Sequence, residues 1–309
     1  MTIRQEDNIM TLTAFFLLLL SVTFHASWNL IAKKSTMSIT YYMVICMTSA
    51  CCWLHLQFWT PVNIFALPGK YYLLMFCSVL SDLLYCCGLV RAYRTMEMST
   101  AYPMMRSLPL LFTAAITGIL GLGKPLKPMA FAGMSVVFAG CMLMPLKSFS
   151  DFKIRNYINP RLLFVTIVAL GTTGYTIFDS QAQAVLRDAV TGVSKPVLAL
   201  TYYSSRGIML TTALWTLVLC LKQERENLKT IVKERNFTPV FAGCFATFAY
   251  ALVLIAMNYV SNVSFVQVFR QLGLLVGVAG GIIILKEQCS VTKISGSLLI
   301  VSGLVMTVL

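Results

Sequence analysis

The chain has 309 residues, of which 58% are hydrophobic and 11% charged, with a mean hydropathy of +0.79 and a formal net charge of +13. A soluble domain cannot keep that much apolar surface hydrated, so the solvent for most of this chain is lipid. The positive balance would suggest nucleic acid in a soluble protein, but most basic residues sit between apolar runs, where anionic headgroups and the positive-inside rule explain them better. No nucleic-acid partner is expected.

Apolar runs of about 20 residues, the length a helix needs to cross the hydrocarbon core, recur with only short polar breaks. The first predicted span covers 11–31. Arg4 followed by Leu17 to Leu20 resembles a signal peptide, but no small-residue cleavage site follows, and a genuine span is the better reading. Spans at 38–58, 71–93, 98–121 and 127–144 complete a first half, residues 1–145. A polar stretch, 146–161, carries Asp151, Lys153, Arg155 and Asn156 and reads as a linker. The second half, 162–309, holds spans at 162–183, 196–221, 238–259, 262–285 and 290–309. Its longest break, 222–236, is rich in Lys, Arg and Glu and predicts a short amphipathic surface segment.

The halves align weakly but in order. A shift of 164 residues places Arg106 on Arg270, Leu108 on Leu272, Leu110 on Leu274 and Ala115 on Ala279, and a shift of 163 places Gly133 on Gly296 and Gly140 on Gly303. Each copy has an odd number of spans, so the second enters the membrane upside down. Inverted repeats of this sort are a recurring plan of secondary transporters, with the ligand near the midplane. The fold expected is therefore an all-α membrane protein of ten transmembrane helices, built as two inverted five-helix repeats. Fifteen Lys and Arg fall in odd-numbered loops, against six in the N-terminal tail and even loops, a bias that points to cytoplasmic odd loops and external termini.

The ten cysteines lie mostly inside apolar runs, where free Cys behaves as a small hydrophobe. With no CxxC pair and only His25 and His55, neither a metal nor a cofactor is expected.

An ionisable side chain in hydrocarbon costs a few kcal/mol unless it meets a partner or a wet cavity, so such groups mark function first. Arg106 and Arg270, equivalent in the two copies, each sit in a polar patch: Tyr102 precedes Arg106 by four, while Gln267, Arg270 and Gln271 fall at i, i+3 and i+4. Two guanidinium groups meeting on one axis would hold a carboxylate or phosphate; alternatively, each is neutralised by an internal acid and only pins helices. Asp82, in span three, either pairs with Arg106 or serves as a proton-accepting carboxylate for a coupling proton or ion. His25 shares a face with Asn29 beside Trp28, and Tyr175, Asp179 and Gln183 share a face of span six. Arg206 has no partner in the repeat and reads as structural. Pro103 and Pro109 bracket Arg106 and would loosen the helix there.

Several short motifs carry a resemblance over the whole length to the EamA-type branch of the drug/metabolite transporter superfamily. They are His25-Ala26-Ser27-Trp28-Asn29, Arg91-Ala92-Tyr93-Arg94, Ala101-Tyr102-Pro103 with Arg106, and Leu285-Lys286-Glu287. The resemblance implies a multi-pass carrier in the cell membrane, the bacterial inner membrane, with its cavity lined chiefly by spans one, three, four, six, eight and nine. It implies movement of amino acids or related metabolites, by a monomer or weak homodimer. On that carry-over His25, Trp28, Asn29, Asp82, Tyr85, Tyr102, Arg106, Asp179, Tyr250, Gln267 and Arg270 face the cavity. The chain departs from the family at Lys124, where an acidic residue is usual, and family members are generally drawn with cytoplasmic termini.

The expectation is a secondary transporter of a small metabolite that is amino acid-like, or bears a carboxylate or phosphonate. Export of amphipathic drugs is the second reading, drawing on seventeen methionines and 12% aromatics. A scaffold or sensor lacks a soluble output segment, and an enzyme lacks a nucleophile with its base or a metal set.

Overall fold

In a computed structural model the described residues are 10–32, 38–96, 98–152, 160, 162–283 and 289–309. The Leu285-Lys286-Glu287 motif and half of the polar stretch 146–161 lie outside them, as do the side chains of Asn29 and Tyr102. The helices run α1 (Leu12–Ala32), α2 (Ile39–Trp53), α3 (Leu56–Trp59), α4 (Gly69–Thr95), α5 (Met98–Leu120), α6 (Pro128–Leu143), α7 (Leu162–Ala189) and α8 (Lys195–Cys220). They continue with α9 (Lys222–Lys233), α10 (Thr238–Ala256), α11 (Ser264–Phe269), α12 (Leu272–Ile283) and α13 (Val291–Val308). Among the described residues the extended backbone amounts to one isolated bridge, between Met10 and Val260.

Local chemistry sets the helix ends. Ser38 and Ser290 cap α2 and α13 by accepting from the backbone N–H groups of Tyr41 and Lys293. Pro128, Pro196 and Pro239 stand in the first turns of α6, α8 and α10, where a missing N–H costs nothing. At the end of α5, Gly121 takes φ +63° and the Leu122 N–H returns to the Thr117 carbonyl, a left-handed cap that a side chain at 121 would strain.

Among the described residues six helical segments are long and apolar enough to cross a membrane: Ile39–Trp59, Gly69–Thr95, Pro103–Leu120, Leu162–Ala189, Thr238–Tyr259 and Val291–Val308. The chain is thus an all-α, multi-pass membrane protein. The predicted spans at 11–31, 127–144 and 262–285 correspond to shorter apolar helices, and α8 bends by 106° into the amphipathic α9. Polarity is inside out. On α4, Leu73, Phe76, Leu80 and Leu84 form an exposed stripe at helical spacing, while Ser78, Ser81 and Asp82 are buried opposite.

Helices in lipid gain nothing hydrophobic by pairing, so close packing and interhelical polar contacts must hold them together. The chain uses both. A Cβ on Gly171 would meet the Ser81 carbonyl at 2.7 Å, which shows how closely α7 approaches α4. Between α6 and α13, Gly133 faces Gly303 and Gly140 faces Gly296 at equally short range. Ser21 bonds the Ala249 carbonyl, Trp53 bonds Thr247, and Thr117 bonds Ser264. Such bonds contribute about 0.6 kcal/mol each, so the backbone-to-backbone contacts carry most of the association.

The ninth predicted span is broken. Helix α11 ends at Phe269 and α12 starts at Leu272, with Gly273 and Leu274 returning to the Arg270 and Gln271 carbonyls. Neither proline interrupts α5, contrary to the expectation that Pro103 and Pro109 would open the chain beside Arg106. The break lies instead opposite Arg106, whose guanidinium bonds the Arg270 carbonyl at 3.2 Å, while Gln271 bonds the Arg106 carbonyl at 3.0 Å. The two bonds tie the break to α5.

Candidate functional site

A cavity of about 110 Å³ lies among α1, α2, α4, α5, α7, α8, α10 and the break at Arg270. Its wall includes His25, Trp28, Asp82, Tyr85, Arg106, Tyr250 and Arg270 from the predicted set. Gln267 is not on that wall: it is buried between helices and bonds Thr176 Oγ1 at 2.6 Å. Asp179 lies behind the wall, fully buried.

The charges fall into two groups. Arg206 is neutralised internally: its Nη2 is 2.7 Å from Asp82 Oδ2, and its Nε bonds Asp179 Oδ1 at 3.1 Å and Ser78 at 2.8 Å. Tyr42 completes Asp82 at 2.9 Å, and Tyr202, Tyr250 and Ser78 all donate to Asp179. The Arg206 guanidinium also stands over the rings of Tyr175 and Tyr250, at 5.9 and 5.5 Å. Asp82 therefore pairs with Arg206 rather than with Arg106, although α5 follows α4 directly in the chain.

Arg106 and Arg270 form the second group. Neither makes an ion pair among the described residues, and Arg106 Nε and Arg270 Nη1 are buried donors without a partner there. Arg106 Nη1 lies 3.0 Å from His25 Nε2, while the Trp28 indole N–H points at His25 Nδ1, also at 3.0 Å. Indole and guanidinium only donate, and a neutral imidazole has one bare nitrogen, so His25 accepts from one of them at a time. Three arginines against two aspartates leave this region with one uncompensated positive charge.

Sequence reasoning omitted α2 and α8 from the wall, yet they bring Tyr42, Cys46, Ser49, Tyr203 and Arg206. The tyrosines form a chain of tilted and edge-to-face contacts, Tyr42 to Tyr85, Tyr175, Tyr250 and Tyr203, with centroids 5.7 to 6.0 Å apart. An intramembrane Arg following Tyr202 and Tyr203 was the available signal for α8; Tyr42, close to the start of α2, had none.

Fold and site together define a multi-pass α-helical membrane protein with a cationic central cavity. No family model matches the sequence, and no curated protein matches it. A solved crystal structure shares the fold with a TM-score of 0.66, covering 96% of each chain at 12% sequence identity. At that identity the likeness is one of fold alone.

Proposed function

We propose that the protein is a secondary transporter of the EamA type, within the drug/metabolite transporter superfamily, that moves a small carboxylate- or phosphonate-bearing metabolite across the cell membrane. In this reading ten spans form two inverted five-helix repeats, 1–145 and 162–309, which rock about a midplane site. The packing supports the repeat, because α1 on α10 and α4 on α7 are equivalent pairs under it. So are the glycine contacts: exchanging Gly133 with Gly296 and Gly140 with Gly303 turns one contact between α6 and α13 into the other.

The observation that carries the function is the pair of arginines on one cavity, Arg106 and Arg270, each with a buried guanidinium nitrogen, Nε and Nη1 respectively, that has no partner among the described residues. A buried donor left bare costs about 1–3 kcal/mol, which an oxyanion bridging the two arginines would recover. The same oxyanion would draw Arg106 away from His25. In proteoliposomes, Arg106→Ala and Arg270→Ala each abolish flux of a carboxylate or phosphonate substrate while elution volume stays near wild type. Undiminished flux in both variants rejects the anion site.

A further inference from the structure

We infer that Arg206 is a built-in cation filling the place a substrate ammonium would take, so that the cavity selects net anions over zwitterions. The inference rests on the anion site proposed above and narrows its substrate class.

A membrane cavity takes up an ammonium with a free carboxylate or with open aromatic faces. Here both carboxylates are in use, and so are two of the aromatic faces. Asp82 accepts from Arg206 at 2.7 Å and from Tyr42 at 2.9 Å. Asp179 has no exposed surface, and both of its oxygens are taken by donors from three other helices. The faces of Tyr175 and Tyr250 that could receive an ammonium are turned to the Arg206 guanidinium. Among the described residues no other acid reaches the cavity. Its unspent capacity is Arg106 and Arg270, which call for negative charge only. A zwitterion would seat its anionic end there and leave its ammonium desolvated beside a third guanidinium.

The test is binding to the purified full-length protein by calorimetry, at fixed pH and salt, using two matched pairs: butyrate against 4-aminobutyrate, and propylphosphonate against 3-aminopropylphosphonate. The amine-free member of each pair binds tighter by about tenfold or more, the order expected when one ligand charge stays unpaired. Arg206→Gln alone strands two buried carboxylates, so the second arm uses Arg206→Gln with Asp179→Asn, which leaves Asp82 as the single acid and opens the slot. In that variant the preference reverses toward the ammonium-bearing members. Equal or tighter binding of the ammonium-bearing members to the wild type, abolished by Arg106→Ala, overturns the role of Arg206 while leaving the anion site standing. If none of the four ligands binds the wild type, both readings fall together.

Discussion

Asp179 on α7 accepts hydrogen bonds from side chains on α4, α8 and α10, so one buried carboxylate ties four helices together. Its removal and that of Arg206 are not equivalent. Asp179→Asn leaves Arg206 matched one to one with Asp82, whereas Arg206→Gln leaves two carboxylates in a low-dielectric interior with no cation. Removing one partner of a buried pair costs about 3–5 kcal/mol, so Arg206→Gln lowers the melting temperature in detergent well below that of Asp179→Asn. A larger loss in Asp179→Asn would contradict this charge balance. The sequence could single out Asp82, Asp179 and Arg206 as ionisable groups in apolar runs, because an isolated charge in such a run is visible in one dimension. Their pairing was not visible: the partners lie 27 and 124 residues apart, and adjacency in the chain favoured the wrong arginine for Asp82.

The break at Arg270 shows a similar limit for elements. Helix positions followed from run length, and the predicted starts and ends fall close to those observed for α4, α5 and α13. The interruption did not follow, because Arg270-Gln271 contains neither Gly nor Pro; it is tied to α5 by two bonds, from the Arg106 side chain to the Arg270 carbonyl and from the Gln271 side chain to the Arg106 carbonyl. Pro103 and Pro109, the residues with the strongest breaking chemistry, sit inside a continuous helix. Gln271→Leu removes the donor to the Arg106 carbonyl and destabilises the junction by about 1 kcal/mol. Hydrogen exchange reads this directly, with faster exchange of the amides of 270–274 than of those in α13, and unchanged protection there would remove the role given to Gln271.

For the whole molecule, the paired glycines are the feature most open to a symmetric test. Aligning the halves matched Gly133 with Gly296 and Gly140 with Gly303; that the matched residues contact each other crosswise is a fact of three dimensions only. A Cβ at 133 would lie 2.6 Å from the Gly303 carbonyl, and one at 296 would lie 2.8 Å from the Gly140 carbonyl. Both collisions are with backbone, which cannot swing aside. If the halves are related by a two-fold axis in the membrane plane, Gly133→Ala and Gly296→Ala lower thermal stability by similar amounts, each on the order of 1–3 kcal/mol for overpacking. A large effect from one and none from the other would argue against the duplication.

Where two backbones already touch, there is no side chain left to compress or re-rotamerise. The α6–α13 seam therefore cannot be pressed closer, and in a carrier whose halves rock it would act as a fulcrum. Lever arms would then be longest on the far side of the cavity, so the widest excursions during turnover are expected there rather than at the seam.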